Sequence, residues 1–203
     1  MAGSADLGLI LAAFGVSYLL GSISTAILVC KFMGLPDPRS VGSGNPGATN
    51  VLRQGGKKAG IYTLLGDLLK GLIPVLLIHQ TLHEPLLSSV ACLGAFLGHL
   101  YPVFFKFKGG KGVATGIGGI LGVMPLLGLI LIAIWVGMVF AFRYVSLAGI
   151  TAAFFAPLIT YFLYPNIPVY LMTISVLSVL LIWRHRSNIK NMLSGKEDKV
   201  GVK

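Results

Sequence analysis

The chain has 203 residues, 55% of them hydrophobic and 11% charged, and its 16 Lys and Arg outnumber 6 Asp and Glu for a formal net charge of +10. A mean hydropathy of +0.87 with so little charge excludes a soluble globular domain and a disordered chain alike. The length suits one membrane-embedded domain over 1–203 and leaves no room for a separate folded domain beside it.

The first apolar run, Leu7 to Cys30, follows no basic segment and is long for the core of a secretion signal, so it reads as a retained transmembrane helix. Further runs at about 60–82, 86–105, 145–163 and 167–183 each approach the roughly 20 residues that span a bilayer as helix. Between them, Gly112 to Phe142 would form a single helix roughly 46 Å long against a bilayer core of about 30 Å. Met124-Pro125 divides this stretch into about 12 and 17 residues, and proline inside a helix breaks or kinks it.

Charge decides between one crossing and two, because Lys and Arg near helix ends stay on the cytoplasmic side. Two crossings gather all the loop Lys and Arg on one face, in loops 31–59, 106–112 and 143–146 and in the tail 184–203. The other face keeps Asp6, His83, Glu84 and the turn Tyr164-Pro165-Asn166. The expectation is an all-α integral membrane protein with seven transmembrane helices, N-terminus outside and C-terminus cytoplasmic, and two short central spans. Gly94xxxGly98, Gly112xxxGly116 and Gly118xxxGly122 carry the small-residue spacing that lets helix backbones approach closely, and are read as packing only.

The basic excess is broken up by apolar runs, not gathered on one face, so nucleic acid is not expected as a partner. Cys30 and Cys92 lie within apolar runs without metal-ligand spacing and are read as core thiols.

The first cytoplasmic loop contains Gly42-Ser43-Gly44-Asn45-Pro46-Gly47-Ala48-Thr49-Asn50-Val51-Leu52-Arg53. Its Gly, Pro and small polar residues predict a tight loop instead of a helix, with converging N–H groups suited to phosphate and Arg53 as a bidentate clamp. Gly42-x-Gly44-x-x-Gly47 matches the dinucleotide fingerprint in form, but no strand precedes it. The second loop, Lys106-Phe107-Lys108-Gly109-Gly110-Lys111-Gly112, is a glycine hinge bearing three ammonium groups where a helix starts, a place that attracts anions. Lys106 and Lys108 also fit ordinary interfacial anchors; Lys111, between glycines, does not. The tail is expected to continue the last span as an amphipathic helix with His185 and Asn188 on one face and Gly195 as its stop. Asp67 and Lys70, three residues apart within a span, can pair on one helix face, and His99 is read as a structural residue near the end of span three.

Absences narrow the chemistry. The cytoplasmic acids Asp37, Glu197 and Asp198 form no cluster able to hold Mg²⁺ for phosphoryl transfer, so no metal and no cofactor is expected. Neither an HxxxxD acyltransferase pattern nor a Gly-x-Ser-x-Gly elbow occurs.

At three places the sequence resembles the PlsY family, the bacterial acyl-phosphate-dependent glycerol-3-phosphate acyltransferases. Gly42 to Arg53 is similar to its first motif, Lys108 to Thr115 to its second, and His185-Arg186-x-Asn188-Ile189 with Gly195-x-Glu197 to its third. Gly98-His99-x-Tyr101-Pro102 and Tyr144-Val145-Ser146 extend the likeness, while Asn191 stands where the family often carries a basic residue.

The resemblance implies transfer of a fatty acyl group from acyl phosphate to the sn-1 hydroxyl of glycerol 3-phosphate, giving lysophosphatidic acid and phosphate. It implies a multi-pass protein of the bacterial inner membrane with its active site on the cytoplasmic face, in contact with lipid and with the soluble enzyme that makes acyl phosphate. Matching positions assign Ser43, Arg53, Lys111, His185 and Asn188 to glycerol phosphate, with Ser146 nearby. They assign Gly42, Gly44, Asn45, Gly47, Thr49 and Asn50, with Lys108, Gly109, Gly110 and Gly112, to the loops that hold the donor phosphate, and Glu197 to orienting a basic partner. Direct attack by the substrate hydroxyl, its proton taken by the donor phosphate or by His185, competes with an acyl-enzyme on Ser43. An anion transporter would want basic residues at the midplane or the outer face, and a lipid-binding scaffold would not need both glycine loops.

Overall fold

A computed structural model describes residues 6–200. Residues 1–5 and 201–203 lie outside that range, and with them the extreme ends of the expected exterior N-terminus and cytoplasmic tail. The described residues are helical and contain no strand. They divide into two compact units, Met1–Val123 and Met124–Lys203.

In the first unit, α1 (Leu7–Gly21) begins where the Asp6 carboxylate accepts the Gly8 N–H at 2.9 Å, satisfying one of the orphan donors of a helix start. The expected single first helix is broken: α1 stops before Ser22, and α2 (Thr25–Phe32) starts after a short turn. The last turn of α1 and the turn after it are tied to residues 101–103, the Tyr18 hydroxyl donating to the Tyr101 carbonyl at 2.7 Å and the Ser22 hydroxyl accepting the Val103 N–H at 3.4 Å. A long helix, α3 (Ala48–Leu82), follows, then α4 (Pro85–Leu100), a 3-10 turn (Val103–Phe105) and α5 (Val113–Val123). α3 itself bends at Gly56, whose φ of 77° no β-carbon favours.

Glycines set the helix spacing here. A Cβ on Gly94 or Gly98 would run into the Phe14 and Tyr18 carbonyls of α1, and one on Gly21 of α1 into the Ala95 backbone of α4. α3 and α5 repeat the reciprocal arrangement, Gly118 against the Leu68 carbonyl and Gly71 against that of Thr115. In lipid, where apolar burial does not distinguish a helix from an acyl chain, such backbone contact is what holds helices together.

The second unit contains α6 (Pro125–Phe142), α7 (Val145–Leu163), α8 (Pro168–Arg184) and α9 (Arg186–Leu193). α7 packs on both α6 and α8. Met124 leaves helical geometry, so the break falls where the Met-Pro pair placed it. α9 does not continue α8: the chain turns by 52° at His185, which corrects the expected uninterrupted tail helix.

Among the described residues, five stretches are long and apolar enough to cross a membrane: Leu7–Phe32, Ala48–Leu82, Pro85–Phe105, Pro125–Phe142 and Val145–Leu163. The bent pair α8 and α9 makes a sixth. α5, with 11 residues, is about 16 Å long at 1.5 Å per residue, half a bilayer core. Large apolar side chains such as Leu11, Leu77, Phe154 and Val179 stay exposed, as a surface bathed in acyl chains permits.

Candidate active site

The first loop is shorter than its sequence suggests. α3 starts at Ala48, so Thr49, Asn50 and Arg53 stand in its opening turns while Gly42 to Gly47 form the irregular part. Ala48, Val51 and Leu52 side chains support a helix once the chain has left Gly47, the extended N-cap residue, and this corrects the loop expected through Arg53.

Asn50 organises that loop. Its side chain is buried; its Nδ2 donates to the Pro38 carbonyl at 2.8 Å and to the Val41 carbonyl at 3.1 Å, and its Oδ1 accepts the Ser43 N–H at 3.1 Å. Gly42 takes a φ of 59°, and a side chain there would collide with Asn50 Oδ1. The strand of loop before it is pinned by Arg39, which grips the Asp37 carboxylate at 2.6 Å and reaches the Phe105 carbonyl at 3.3 Å. The hydrogen bonds from the Arg39 side chain hold the Asp37 carboxyl below its ordinary value. Sequence reading did not single out Asp37 or Arg39 as organisers; their i, i+2 spacing was the available signal. Ser43, Gly44 and Arg53 remain exposed and Asn45, Gly47 and Thr49 half-buried.

The second loop lies beside the first. Gly110 sits between the His99 ring and the Pro46 carbonyl, so closely that any side chain at 110 would strike both. Its N–H donates to the His99 carbonyl at 3.1 Å. Gly109 and Gly112 are also buried, the latter with a φ of 90° against Phe96 and Leu100. Gly112 also provides the carbonyl that accepts the Gly116 N–H at 2.7 Å, which starts α5. Lys106 and Lys108 are exposed, whereas Lys111 is half-buried among the glycines.

Beneath this loop the expected Asp67–Lys70 pair forms, with Nζ to Oδ1 at 2.8 Å. His99 joins it, its Nδ1 3.5 Å from the same carboxylate oxygen, and the Lys70 ammonium also donates to the Ile23 carbonyl at 2.8 Å.

In the second unit, Ser146, Asn188 and Glu197 come together. One carboxylate oxygen of Glu197 accepts from the Ser146 hydroxyl at 2.6 Å and from the Asn188 amide at 2.8 Å. Its partners are therefore a hydroxyl and an amide, not the basic side chain expected. The tail is drawn onto the α6–α7 corner, the Arg143 guanidinium donating to the Val200 carbonyl at 3.1 Å and the Val200 N–H to the Arg143 carbonyl at 2.8 Å. The Asn188 Oδ1 is buried and accepts no hydrogen bond from the described residues. His185 is 2% exposed, and its Nδ1 lies 2.8 Å from the Leu181 carbonyl, so Nδ1 carries a proton and Nε2 is the basic atom of the neutral ring.

A sequence model of the family described as glycerol-3-phosphate acyltransferase matches residues 11–195. The glycerol-3-phosphate acyltransferase of Thioalkalivibrio sulfidiphilus is 54% identical over 187 residues, 92% of either chain. That of Neisseria meningitidis serogroup C is 50% identical over 197 residues, 94% of this chain and 97% of the relative. Among solved structures, the crystal structure of PlsY, an integral membrane glycerol 3-phosphate acyltransferase, in its glycerol 3-phosphate form matches with a TM-score of 0.88 at 43% identity, covering 95% of this chain and 96% of that one. Its lysophosphatidic acid form matches with a TM-score of 0.85 at 42% identity. With its several apolar helices, the chain is a multi-pass membrane protein, and it belongs to the glycerol-3-phosphate acyltransferase family of which PlsY is a member.

Proposed function

We propose that this protein transfers a fatty acyl group from acyl phosphate to the sn-1 hydroxyl of glycerol 3-phosphate, yielding lysophosphatidic acid and phosphate in the first step of bacterial phospholipid synthesis. The observation that carries the reading is the juxtaposition in one unit of two glycine loops, Gly42–Gly47 and Gly109–Gly112, so close that a Cβ at position 110 would lie 3.2 Å from the Pro46 carbonyl oxygen. The expected nest of converging N–H groups is not what they offer: the Ser43, Gly44, Asn45 and Gly47 N–H groups donate to Asn50 or within the loop and that of Gly110 to the His99 carbonyl, so the side chains that the loops carry are what meets a phosphate. The exposed Ser43, Arg53 and Lys108 and the half-buried Lys111 supply the polar and cationic groups.

Acyl phosphate is already activated, so the protein supplies chiefly proximity and electrostatic stabilisation. The glycerol hydroxyl oxygen bonds to the acyl carbonyl carbon, the bond from that carbon to the phosphate oxygen breaks, and phosphate leaves with the electron pair. The hydroxyl proton goes to His185 Nε2 or to the donor phosphate. Arg53, Lys111 and Ser43 hold the glycerol phosphate group; in the second unit Asn188, assigned to the same substrate by the family resemblance, has a buried Oδ1 that suits a substrate hydroxyl. The loops that contain Gly44, Asn45 and Gly109–Gly112 hold the donor phosphate, and Asn50 and Glu197 position their neighbours. Ser43 has the Asn45 N–H as its side-chain partner, at 3.5 Å, and no base bonded to it among the described residues of its unit, which favours direct attack over an acyl-serine.

The whole chain serves as one catalytic domain. It crosses the bacterial inner membrane seven times, N-terminus outside and C-terminus inside; of the two central spans expected to be short, α5 is short and α6, at 18 residues, is of full length. The positive-inside distribution supports this topology and puts the chemistry on the cytoplasmic face, where the soluble enzyme producing acyl phosphate works.

The test is incubation of the purified protein in lipid with glycerol 3-phosphate and either palmitoyl phosphate or palmitoyl-CoA. Equimolar lysophosphatidic acid and phosphate from the acyl phosphate, and no product from the thioester, is the expected result. No product from either donor, with folded protein, overturns the proposal.

A further inference from the structure

His99 stands at the meeting point of two systems that the reaction as described does not connect. On one side its Nδ1 faces the buried Asp67–Lys70 pair, itself anchored to the Ile23 carbonyl in the turn between α1 and α2. On the other its ring abuts Gly110, and its own carbonyl accepts the Gly110 N–H. Gly109 lies against the His99 and Leu100 carbonyls with no space for a side chain. Asp67, Lys70 and His99 are all nearly inaccessible, with side-chain exposures of 4%, 7% and 6%.

A buried ion pair, here within α3, is weak evidence for stability, because the desolvation of both charges offsets most of their attraction. Conformational specificity is the better-founded reason to keep one. Here the specificity has an object: whatever fixes the height and tilt of the His99 ring fixes Gly110, and with it the adjoining Lys111.

We propose that Asp67, Lys70 and His99 form a positioning device that holds the second glycine loop in register with the first, His99 being the positioning residue through which α3 and α4 act on Lys111. The inference rests on the functional reading above for its kinetic consequence, but its structural content stands apart from it. His99 itself touches no reacting atom. The carboxylate of Asp67 faces the ring at 3.5 Å from Nδ1 and orients it by its charge, Lys70 holds that carboxylate, and the ring packs against Gly110.

The test combines amide hydrogen exchange with kinetics on His99→Gln and Asp67→Asn in lipid nanodiscs, beside wild type. His99→Gln removes the group facing Asp67, and Asp67→Asn removes the charge while keeping the shape. Both are expected to speed exchange of the Gly109–Gly112 amides by about tenfold, with the amides of α1 and α2 unchanged. Both also raise the KM for glycerol 3-phosphate, the substrate assigned to Lys111, by about tenfold more than they change kcat. Loop exchange identical to wild type, or acceleration spread equally over the first unit, overturns the proposal, the latter because it marks general support of the bundle. Wild-type protein without acyl transfer would sink the functional reading alone and leave the exchange result to judge this one.

Discussion

The main-chain N–H of Ser43 donates to the side-chain oxygen of Asn50, seven residues ahead in the first turn of α3. A residue on the helix thereby dictates the conformation of the loop that precedes it. Asn50→Ala leaves the Ser43 N–H and the Pro38 and Val41 carbonyls without this partner, at a cost of about 1–3 kcal/mol for each group that stays buried. The loop is expected to open to avoid that cost, lowering kcat/KM by about a hundredfold. Asn50→Asp recovers little, because its second oxygen would face two carbonyls instead of donating to them. Steady-state kinetics with both substrates checks this; wild-type kcat/KM in Asn50→Ala would show that loop order is not what Asn50 supplies.

Glu197 uses one oxygen twice, for Ser146 and for Asn188. Glu197→Gln retains an acceptor oxygen and should change the KM for glycerol 3-phosphate by no more than about twofold, since neutral hydrogen bonds remain. Glu197→Ala frees the Asn188 amide to rotate and should raise that KM by about tenfold while leaving the KM for acyl phosphate in place. Equal effects of the two substitutions would mean that charge, not orientation of Asn188, is what matters.

Local features of this fold could be read from sequence, and long-range ones could not. Met124-Pro125 announces its own break because proline cannot supply the N–H that a continuing helix needs. Asp67 and Lys70 are neighbours on one helix face, so their pairing follows from spacing alone. That His99 joins them depends on how α3 and α4 pack, and no periodicity encodes that partner. Residue types alone carry the loop through to Arg53, because Asn50 and Thr49 look like turn residues; Asn50 is one in effect, but it acts on the turn from within the helix. The 52° turn at His185 carries no Gly or Pro to mark it. Glu197 finds Ser146 across 51 residues, a distance at which the sequence offers only the residue types.

The Asp37–Arg39 pair gives the first loop a pH dependence of definite sign. Hydrogen bonding from Arg39 lowers the folded-state pKa of Asp37 below its unfolded value. The stabilisation is thus fully present above the ordinary carboxylate range, near pH 4, and is lost as the pH falls through the lowered folded value. Both side chains remain partly solvated, at 29% and 38% exposure, so the effect is small. Thermal unfolding of wild type and Asp37→Asn is expected to show a constant gap between pH 5 and 8 that closes under more acidic conditions. A gap that widens on acidification would reverse the assignment.

The glycine contacts make opposite predictions for one substitution at two places. Gly118 of α5 faces the Leu68 carbonyl of α3 so closely that a methyl group cannot enter without parting the helices. Neither side can yield by rotating a side chain, because the obstacle is backbone. Gly118→Ala is therefore expected to cost about 1–3 kcal/mol by overpacking. That corresponds to a fall of about 5 °C in the thermal midpoint. Gly137 of α6 has nothing within 4 Å of the position its Cβ would take. There the methyl group only restrains the unfolded chain and favours helix, so Gly137→Ala should leave the midpoint level or raise it by the equivalent of about 0.5–1 kcal/mol. Circular dichroism melts of the two variants in the same detergent decide the matter. If both shift alike, glycine in these helices acts through chain entropy and not through the approach of α3 to α5.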